Sequence, residues 1–131
     1  MEENKHIKIL LVDDDKFLLD MYVLKFKKNG LDVDTASGSM SALTKLRADP
    51  HLDILLLDII MPTMDGLELL ETIRKEKLIS NAIVIILSNQ NDDMDKAKAL
   101  GADGYIVKAT SIPSEVVEKV LEIYTSKNKK S

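Results

Sequence analysis

The feature of this sequence that most constrains its fold is a fivefold alternation of apolar runs and amphipathic segments. The runs lie at residues 7–12, 32–36, 53–58, 82–87 and 104–107. Most are nearly continuous, as expected of strands buried on both faces, whereas 32–36 carries charges that indicate a sheet edge. Helical spacing fills 16–29, 39–48, 65–77, 92–100 and 113–125. The alternation predicts an α/β domain with a parallel sheet and helices on both faces.

Local signals mark the expected helix ends. Gly30 is predicted to close the first helix in the left-handed conformation, although Asn-Gly also fits a hairpin turn. Gly101 should close the fourth helix, and Pro113 suits the first turn of the fifth. Residues 125–131 are polar and lysine-rich and are expected to fray. The apolar residues expected to carry the first helix are Phe17, Leu18, Met21, Tyr22 and Leu24.

Length and composition exclude several classes of protein. The 131 residues suit one domain, and the lack of cysteine excludes disulfides and thiolate zinc sites. A net charge of −4 argues against nucleic acid as a direct partner. No apolar run approaches the roughly 20 residues that cross a bilayer, and residues 1–5 lack a signal-peptide core. We therefore expect a cytoplasmic protein without membrane insertion.

Polar residues follow the apolar runs at the edge where open α/β sheets bind ligands. Asp13-Asp14-Asp15 follows the first run, Asp58 ends the third, Ser88 follows the fourth and Lys108 the fifth. Carboxylates about 4 Å apart repel by roughly 4 kcal/mol at an effective dielectric of 20, so the cluster needs a cation or a proton. Oxygen ligands suit Mg²⁺, and a carboxylate beside it is a competent nucleophile toward phosphorus. Ser88 and Lys108 could then contact phosphoryl oxygens.

Each of these residues also has a simpler interpretation. The three aspartates could begin the helix at 16, a role that suits Asp15 best. Asp58 could cap the next turn, Ser88 could be a turn residue, and Lys108 could be a solvated surface lysine. Their common position at one edge of the sheet favours the functional interpretation.

Four stretches of this sequence resemble the receiver domains of bacterial two-component response regulators, and the resemblance spans about residues 6–126. They are Ile9-Leu10-Leu11-Val12-Asp13-Asp14-Asp15, Leu57-Asp58-Ile59-Ile60-Met61-Pro62-Thr63-Met64-Asp65-Gly66, Ile86-Leu87-Ser88 and Gly101-Ala102-Asp103-Gly104-Tyr105-Ile106-Val107-Lys108. The resemblance implies a flavodoxin-like (βα)5 sandwich of three layers, with strand order 2-1-3-4-5. We expect 1–131 to be a single receiver domain. It could be a stand-alone receiver or a fragment of a longer regulator.

The resemblance also implies a role for each matched residue. Asp58 would accept a phosphoryl group from the histidine of a sensor kinase. Mg²⁺, or Mn²⁺ in its place, would be held by Asp13, Asp14, Asp58 and the backbone carbonyl of Ile60. Ser88 and Lys108 would contact the phosphoryl group, and Ser88 and Tyr105 would form the switch. The domain would not be an enzyme beyond phosphotransfer to itself and slow autodephosphorylation.

The implied partners are a sensor histidine kinase or phosphotransfer protein and a downstream protein target, with the domain a monomer or weak dimer. The target would bind the face formed by 92–100, 104–107 and 113–125. Two new phosphoryl contacts, from Ser88 and Lys108, would bias the conformation by about 3–6 kcal/mol. Inverting a 1:99 population needs about 5.5 kcal/mol.

The sequence departs from the family pattern at one position, and its residues also bear on other functions. Receivers usually have proline in a cis peptide after the lysine, whereas this chain has Ala109, and cis costs about 3–4 kcal/mol there. A haloacid-dehalogenase-like phosphatase would need an aspartate where Ile60 stands. A flavodoxin-type FMN carrier is also disfavoured, because three aspartates after the first run would repel the phosphate of the flavin. A phosphorylation-independent interaction module on the same fold remains the alternative.

Overall fold

A computed structural model of the chain describes residues 7–89, 93–108 and 112–129. Five parallel strands form one sheet in the order β2-β1-β3-β4-β5, and five helices alternate with them. The strands are β1 (Lys8–Val12), β2 (Asp32–Ala36), β3 (Ile54–Asp58), β4 (Ile83–Ser88) and β5 (Gly104–Val107). The helices are α1 (Lys16–Lys28), α2 (Ser39–Ala48), α3 (Gly66–Lys75), α4 (Met94–Ala99) and α5 (Pro113–Lys129). The predicted flavodoxin-like topology is confirmed.

Two apolar clusters cover the two faces of the sheet. One contains buried residues of α1 and α5, and the other contains buried residues of α2, α3 and α4. Every residue of β3 and β4 is buried, as the continuous apolar runs predict. β2 pairs with β1 alone and alternates in exposure, which confirms that it lies at an edge. The resulting three layers leave the carboxyl ends of the central strands as the place for a site.

The helix ends follow the local signals in the sequence. The side chain of Asp15 accepts from the backbone N–H groups of Phe17 and Leu18 at 3.0 and 3.2 Å, so Asp15 caps α1. Gly30 and Gly101 have φ of 88° and 85°, the left-handed values expected after a helix. These residues fix where the chain leaves the helices and turns back into the sheet.

The structure differs from the sequence prediction most at α3 and α5. α3 is shorter than 65–77, with Asp65 as its N-cap and Glu76 as its C-cap. α5 continues to Lys129, past the predicted end of the fifth helix at residue 125. The predicted start of the fourth helix at Asp92 lies outside the described residues.

The buried face of α1 matches the expectation only in part, because Tyr22 is buried as predicted but Phe17 and Leu24 are not. Phe17 and Leu24 are 75% and 71% exposed, whereas Leu19, Tyr22 and Phe26 are buried. Both sets recur at helical spacing on opposite sides of the helix, so periodicity alone cannot choose between them. Packing against α5 and the sheet buries the stripe that contains Phe26.

Candidate functional site

The predicted residues meet at the carboxyl end of the sheet. Asp58 is the last residue of β3 and pairs with Leu87, while Ser88 is the last residue of β4 and pairs with Val107. Asp13 follows β1 directly, and Lys108 follows β5 directly. Because the strands are parallel and in register, their four ends bring these side chains to one edge. The structure therefore places these four predicted residues at the same edge of the sheet.

Three carboxylates form a cluster at this edge. One oxygen from each of Asp13, Asp14 and Asp58 lies within 4.8 Å of the others. Asp13 and Asp58 are buried and Asp14 is exposed, so the cluster opens to solvent on one side. The backbone N–H of Asp15 donates to Oδ1 of Asp13 at 3.0 Å, which orients that carboxylate.

Lys108 joins two of these carboxylates. Its Nζ lies 3.0 Å from Oδ2 of Asp13 and 2.9 Å from Oδ1 of Asp58. The lysine side chain is 13% exposed, and the two aspartate side chains are 5% and 7% exposed. Burial alone would lower the pKa of Lys108, but the hydrogen bond and charge of Asp58, with those of Asp13, raise it above its ordinary value. Lys108 is therefore a firmly charged counter-ion inside the site.

Asp58 is the most perturbed carboxyl group in the site. Burial raises its pKa to about 6, and the charges of Asp13 and Asp14 act in the same direction. The hydrogen bond and charge of Lys108 oppose them, but only in part. Asp58 is thus a carboxyl group whose ionisation responds to any cation brought to the cluster.

Ser88 and Tyr105 lie on the neighbouring strands β4 and β5. Ser88 is 2% exposed at the end of β4. Tyr105 is half-buried, pairs in register with Ile86 and packs against the apolar cluster of α2, α3 and α4. The peptide bond between Lys108 and Ala109, for which the sequence leaves cis and trans open, lies outside the described residues.

The segment after Asp58, here called the β3–α3 loop (residues 59–65), passes close to the site. The side chain of Ile60 is 61% exposed, whereas Met61 is buried. A Cβ on Gly66 would collide with the backbone carbonyl of Asp58, so only glycine permits this approach of α3. The capping box between Asp65 and Glu68 fixes the start of α3.

Sequence reasoning missed two residues near the site. The hydroxyl of Ser39 is buried and donates to the carbonyl of Met64 at 2.6 Å. Nothing in the sequence separates this serine from an ordinary helix-start residue.

The second missed residue is Tyr22 on α1. Burial raises the pKa of its phenol, the charge of Lys108 lowers it, and the charges of Asp13 and Asp58 raise it further. The phenol of Tyr22 therefore lies within electrostatic reach of the acidic cluster.

The donor set fits a hard divalent cation. The ligand atoms offered by the cluster are all carboxylate oxygens, and one of the three carboxylates is open to solvent for retained waters. Two carboxylates at about 4.8 Å repel by roughly 3.5 kcal/mol at an effective dielectric of 20, a cost that a cation removes. The cluster can therefore hold a metal ion.

No helix within the described residues combines the length and apolar character needed to cross a membrane. The cytoplasmic location stays a prediction.

Comparison with known proteins decides the family. The sequence model for the response regulator receiver domain matches residues 9–121. The chain belongs to this family. Receiver domains are signalling domains of two-component systems, and phosphorylation on an aspartate is their general function.

Individual relatives agree with this assignment. The chain is 34% identical over 112 residues to protein PilG of Pseudomonas aeruginosa, covering 84% of this chain and 82% of that protein. It is 33% identical over 116 residues to the transcriptional regulatory protein PhoP of Bacillus subtilis, for alkaline phosphatase synthesis, covering 88% and 48%. The receiver domain spans about half the length of several curated relatives it matches.

Solved structures show the same fold. A CheY-like receiver domain protein from Methanospirillum hungatei superposes with a TM-score of 0.83 at 28% identity, covering 95% of this chain and 98% of that one. The receiver domain of Francisella response regulator 1452 superposes with a TM-score of 0.78 at 33% identity, covering 92% and 98%.

Proposed function

We propose that Asp58 is the phosphoacceptor of this receiver domain. It ends the central strand β3, it is buried, and it lies 2.9 Å from the ammonium group of Lys108. Its carboxylate would attack the phosphorus of a phosphohistidine or a small acyl phosphate and form an aspartyl phosphate, while the P–N bond to the histidine or the P–O bond to the acyl group breaks and the imidazole or the free carboxylate leaves. The observation that supports this role most directly is the meeting of Asp58 with two further carboxylates and one lysine at the strand ends.

We propose that Mg²⁺ is the cofactor, held by Asp13, Asp14, Asp58 and the backbone carbonyl of Ile60, with Mn²⁺ as a substitute. The all-oxygen donor set and the exposed Asp14 support a hard, partly hydrated ion. When bound, Mg²⁺ would neutralise charge on the transferring phosphoryl group.

Lys108 and Ser88 are proposed to contact the phosphoryl group. Lys108 already donates to Asp58, so a bond to the phosphoryl group would replace an existing bond. Only the contact from Ser88 would then be new, so the free energy gained on phosphorylation would be less than the roughly 3–6 kcal/mol expected from two new contacts. It would also be less than the roughly 5.5 kcal/mol that inverts a 1:99 population. We therefore expect phosphorylation to shift the switch in part, with the shift completed by binding of the target.

The proposed output face comprises α4, β5 and α5, with Tyr105 at its centre. On phosphorylation Ser88 would move toward the new group, and the half-buried ring of Tyr105 would turn inward. α4 has six residues, and Ala97 is its one buried residue, so little apolar packing opposes its displacement. The downstream target would be a protein that reads this face.

Residues 1–131 are proposed to form one receiver domain, phosphorylated by a sensor histidine kinase or phosphotransfer protein. Ile60 occupies the position where a related phosphatase would carry its acid–base aspartate, which supports slow autodephosphorylation over turnover. Direct contact with nucleic acid is not part of the proposal, and a monomer or weak dimer is expected.

The test is labelling of the purified domain with acetyl phosphate and Mg²⁺, read by intact-mass spectrometry. The wild-type domain should gain one phosphoryl group, and Asp58→Asn should gain none. Asp53→Asn is the matched control, because Asp53 precedes the same strand at its opposite end and its carboxylate accepts from the backbone N–H of Lys8. Full labelling of Asp58→Asn would refute the assignment. An unlabelled wild-type domain would favour the phosphorylation-independent module, and a kinase screen would then be decisive.

A further inference from the structure

The hydroxyl of Ser39 is a buried polar group that serves neither its own helix nor the acidic cluster. Ser39 is 3% exposed at the start of α2, and its hydroxyl donates to the carbonyl of Met64 at 2.6 Å. The N-cap of α2 is Gly38, and no side-chain hydrogen bond caps that helix. The bond instead joins α2 to the β3–α3 loop, 25 residues further along the chain.

The bond from Ser39 reaches the β3–α3 loop at Met64, directly before the N-cap of α3. At the ends of the loop, the backbone N–H of Gly66 donates to the carbonyl of Ile59 at 2.8 Å, and Asp65 caps α3. Between these ends Thr63 has φ of 73°, a left-handed conformation that a β-branched residue rarely adopts. The Ser39 bond to Met64 holds the residue directly after Thr63. Among the described residues it is the one side-chain hydrogen bond that reaches the backbone of residues 59–64 from outside the loop.

The same loop directly follows Asp58 and carries Ile60, whose carbonyl is the proposed fourth metal ligand. The loop conformation therefore decides whether that carbonyl can join the three carboxylates. We propose that Ser39 is a positioning residue for the metal site, acting through the Met64 carbonyl to hold the β3–α3 loop in its metal-binding conformation. This rests on the proposed function, because it assumes that the acidic cluster and the loop bind the same ion.

The direct measure of this role is affinity for Mn²⁺, followed by the loss of the electron paramagnetic resonance signal of free Mn²⁺. Ser39→Ala should raise the dissociation constant about threefold to tenfold, less than the roughly 10–100-fold typical when a direct partner of a metal ligand is removed. Thr44→Ala is the matched control. Thr44 lies on the same helix and its hydroxyl also donates to a backbone carbonyl, that of Met40 at 3.0 Å, but it is exposed and does not touch the loop. Its affinity should equal that of the wild type.

A second variant separates positioning from general stability. Thr63 is exposed, so Thr63→Gly removes the conformational strain without removing buried packing. In the Ser39→Ala background it should recover most of the lost affinity, because glycine adopts positive φ without the bond from Ser39. Circular dichroism of each variant verifies that the affinities are those of folded protein.

The outcomes distinguish this proposal from the proposed function. A wild-type domain that does not bind Mn²⁺ overturns both. Normal affinity in folded Ser39→Ala, with Mn²⁺ bound by the wild type, overturns only the role of Ser39. If Ser39→Ala weakens Mn²⁺ binding and adding Thr63→Gly does not restore it, the loss does not act through the loop conformation. This outcome also overturns the role of Ser39. Weakening in Ser39→Ala, with rescue by Thr63→Gly and none in Thr44→Ala, supports it.

Discussion

Replacing Asp58 with asparagine should stabilise the domain at neutral pH when a chelator removes divalent cations. The side chain of Asp58 is 7% exposed. Burial, reinforced by the charge of Asp13, raises its pKa from 3.8 to about 6 against the opposing effect of Lys108. Because the pKa of the folded state is the higher one, ionisation weakens the fold. The stability that the neutral carboxyl group contributes is complete below pH 3.8 and is lost as the pH rises through about 6.

The size of the effect follows from the two pKa values. A difference of about 2.2 pH units at 1.36 kcal/mol each gives roughly 3 kcal/mol of stability lost in the wild type by pH 7.5. The asparagine side chain cannot ionise, so Asp58→Asn should retain that stability. At pH 4.5 the same linkage gives a gain of about 1 kcal/mol, one third of the value at neutral pH. For a domain of this size the gain at pH 7.5 corresponds to a melting temperature roughly 10 °C higher.

Urea unfolding followed by circular dichroism at pH 7.5 and pH 4.5, with EDTA present, measures both values. Asp20→Asn, an exposed aspartate on α1 outside the cluster, is the control and should change stability little at either pH. A gain of equal size at the two pH values would show that ionisation of Asp58 is not its cause. A loss of stability at pH 7.5 would show that the bond from Lys108 outweighs burial.

Three further predictions concern the start of α3, the end of α4 and the metal site. Gly66→Ala should destabilise the domain by about 1–3 kcal/mol in urea unfolding, because the added Cβ would collide with the carbonyl of Asp58. Gly38→Ala is the control and should not destabilise it, because a Cβ there has no atom within 4 Å. The guanidinium of Arg74 donates to the carbonyls of Leu100 and Gly101, at the end of α4, at 3.1 and 2.8 Å. Arg74→Ala removes these bonds and should speed amide hydrogen exchange in α4 alone. Mn²⁺ affinity should fall as the pH drops through about 6, since protonated Asp58 is a poor ligand. Equal affinity at pH 7.5 and 5.5 would mean that Asp58 does not bind the ion.

Most of the fold could be predicted because its signals are local and repeated. Continuous apolar runs predict buried central strands, and the charges in 32–36 predict an edge strand. The predicted meeting of Asp13, Asp58, Ser88 and Lys108 required one more rule, that parallel strands present their carboxyl ends at one edge. The pattern, the handedness of the crossovers and this rule together determine the layout of the site.

Other features depend on contacts that no sequence period encodes. The choice between the Phe17 and Phe26 faces of α1 is made by packing with α5, since either face is apolar enough. The bond from Ser39 to Met64 links residues 25 positions apart and reaches a loop in which Thr63 adopts a left-handed conformation. The ion pairs of Lys108 likewise depend on distances of about 3 Å, which the order of residues does not specify.

The double ion pair of Lys108 also ties the site to the completion of folding. Its first ion pair joins Asp13 to Lys108, which lies 95 positions later in the chain. Until β5 joins the sheet, the carboxylates of Asp13 and Asp58 face each other without Lys108 as their counter-ion. A nascent or truncated chain that has formed β1 and β3 alone therefore carries an electrostatic penalty that Lys108 relieves once β5 is in place. A chain that cannot complete its sheet is expected to be a poor phosphoacceptor, so competence to signal is gained only when the whole domain has folded.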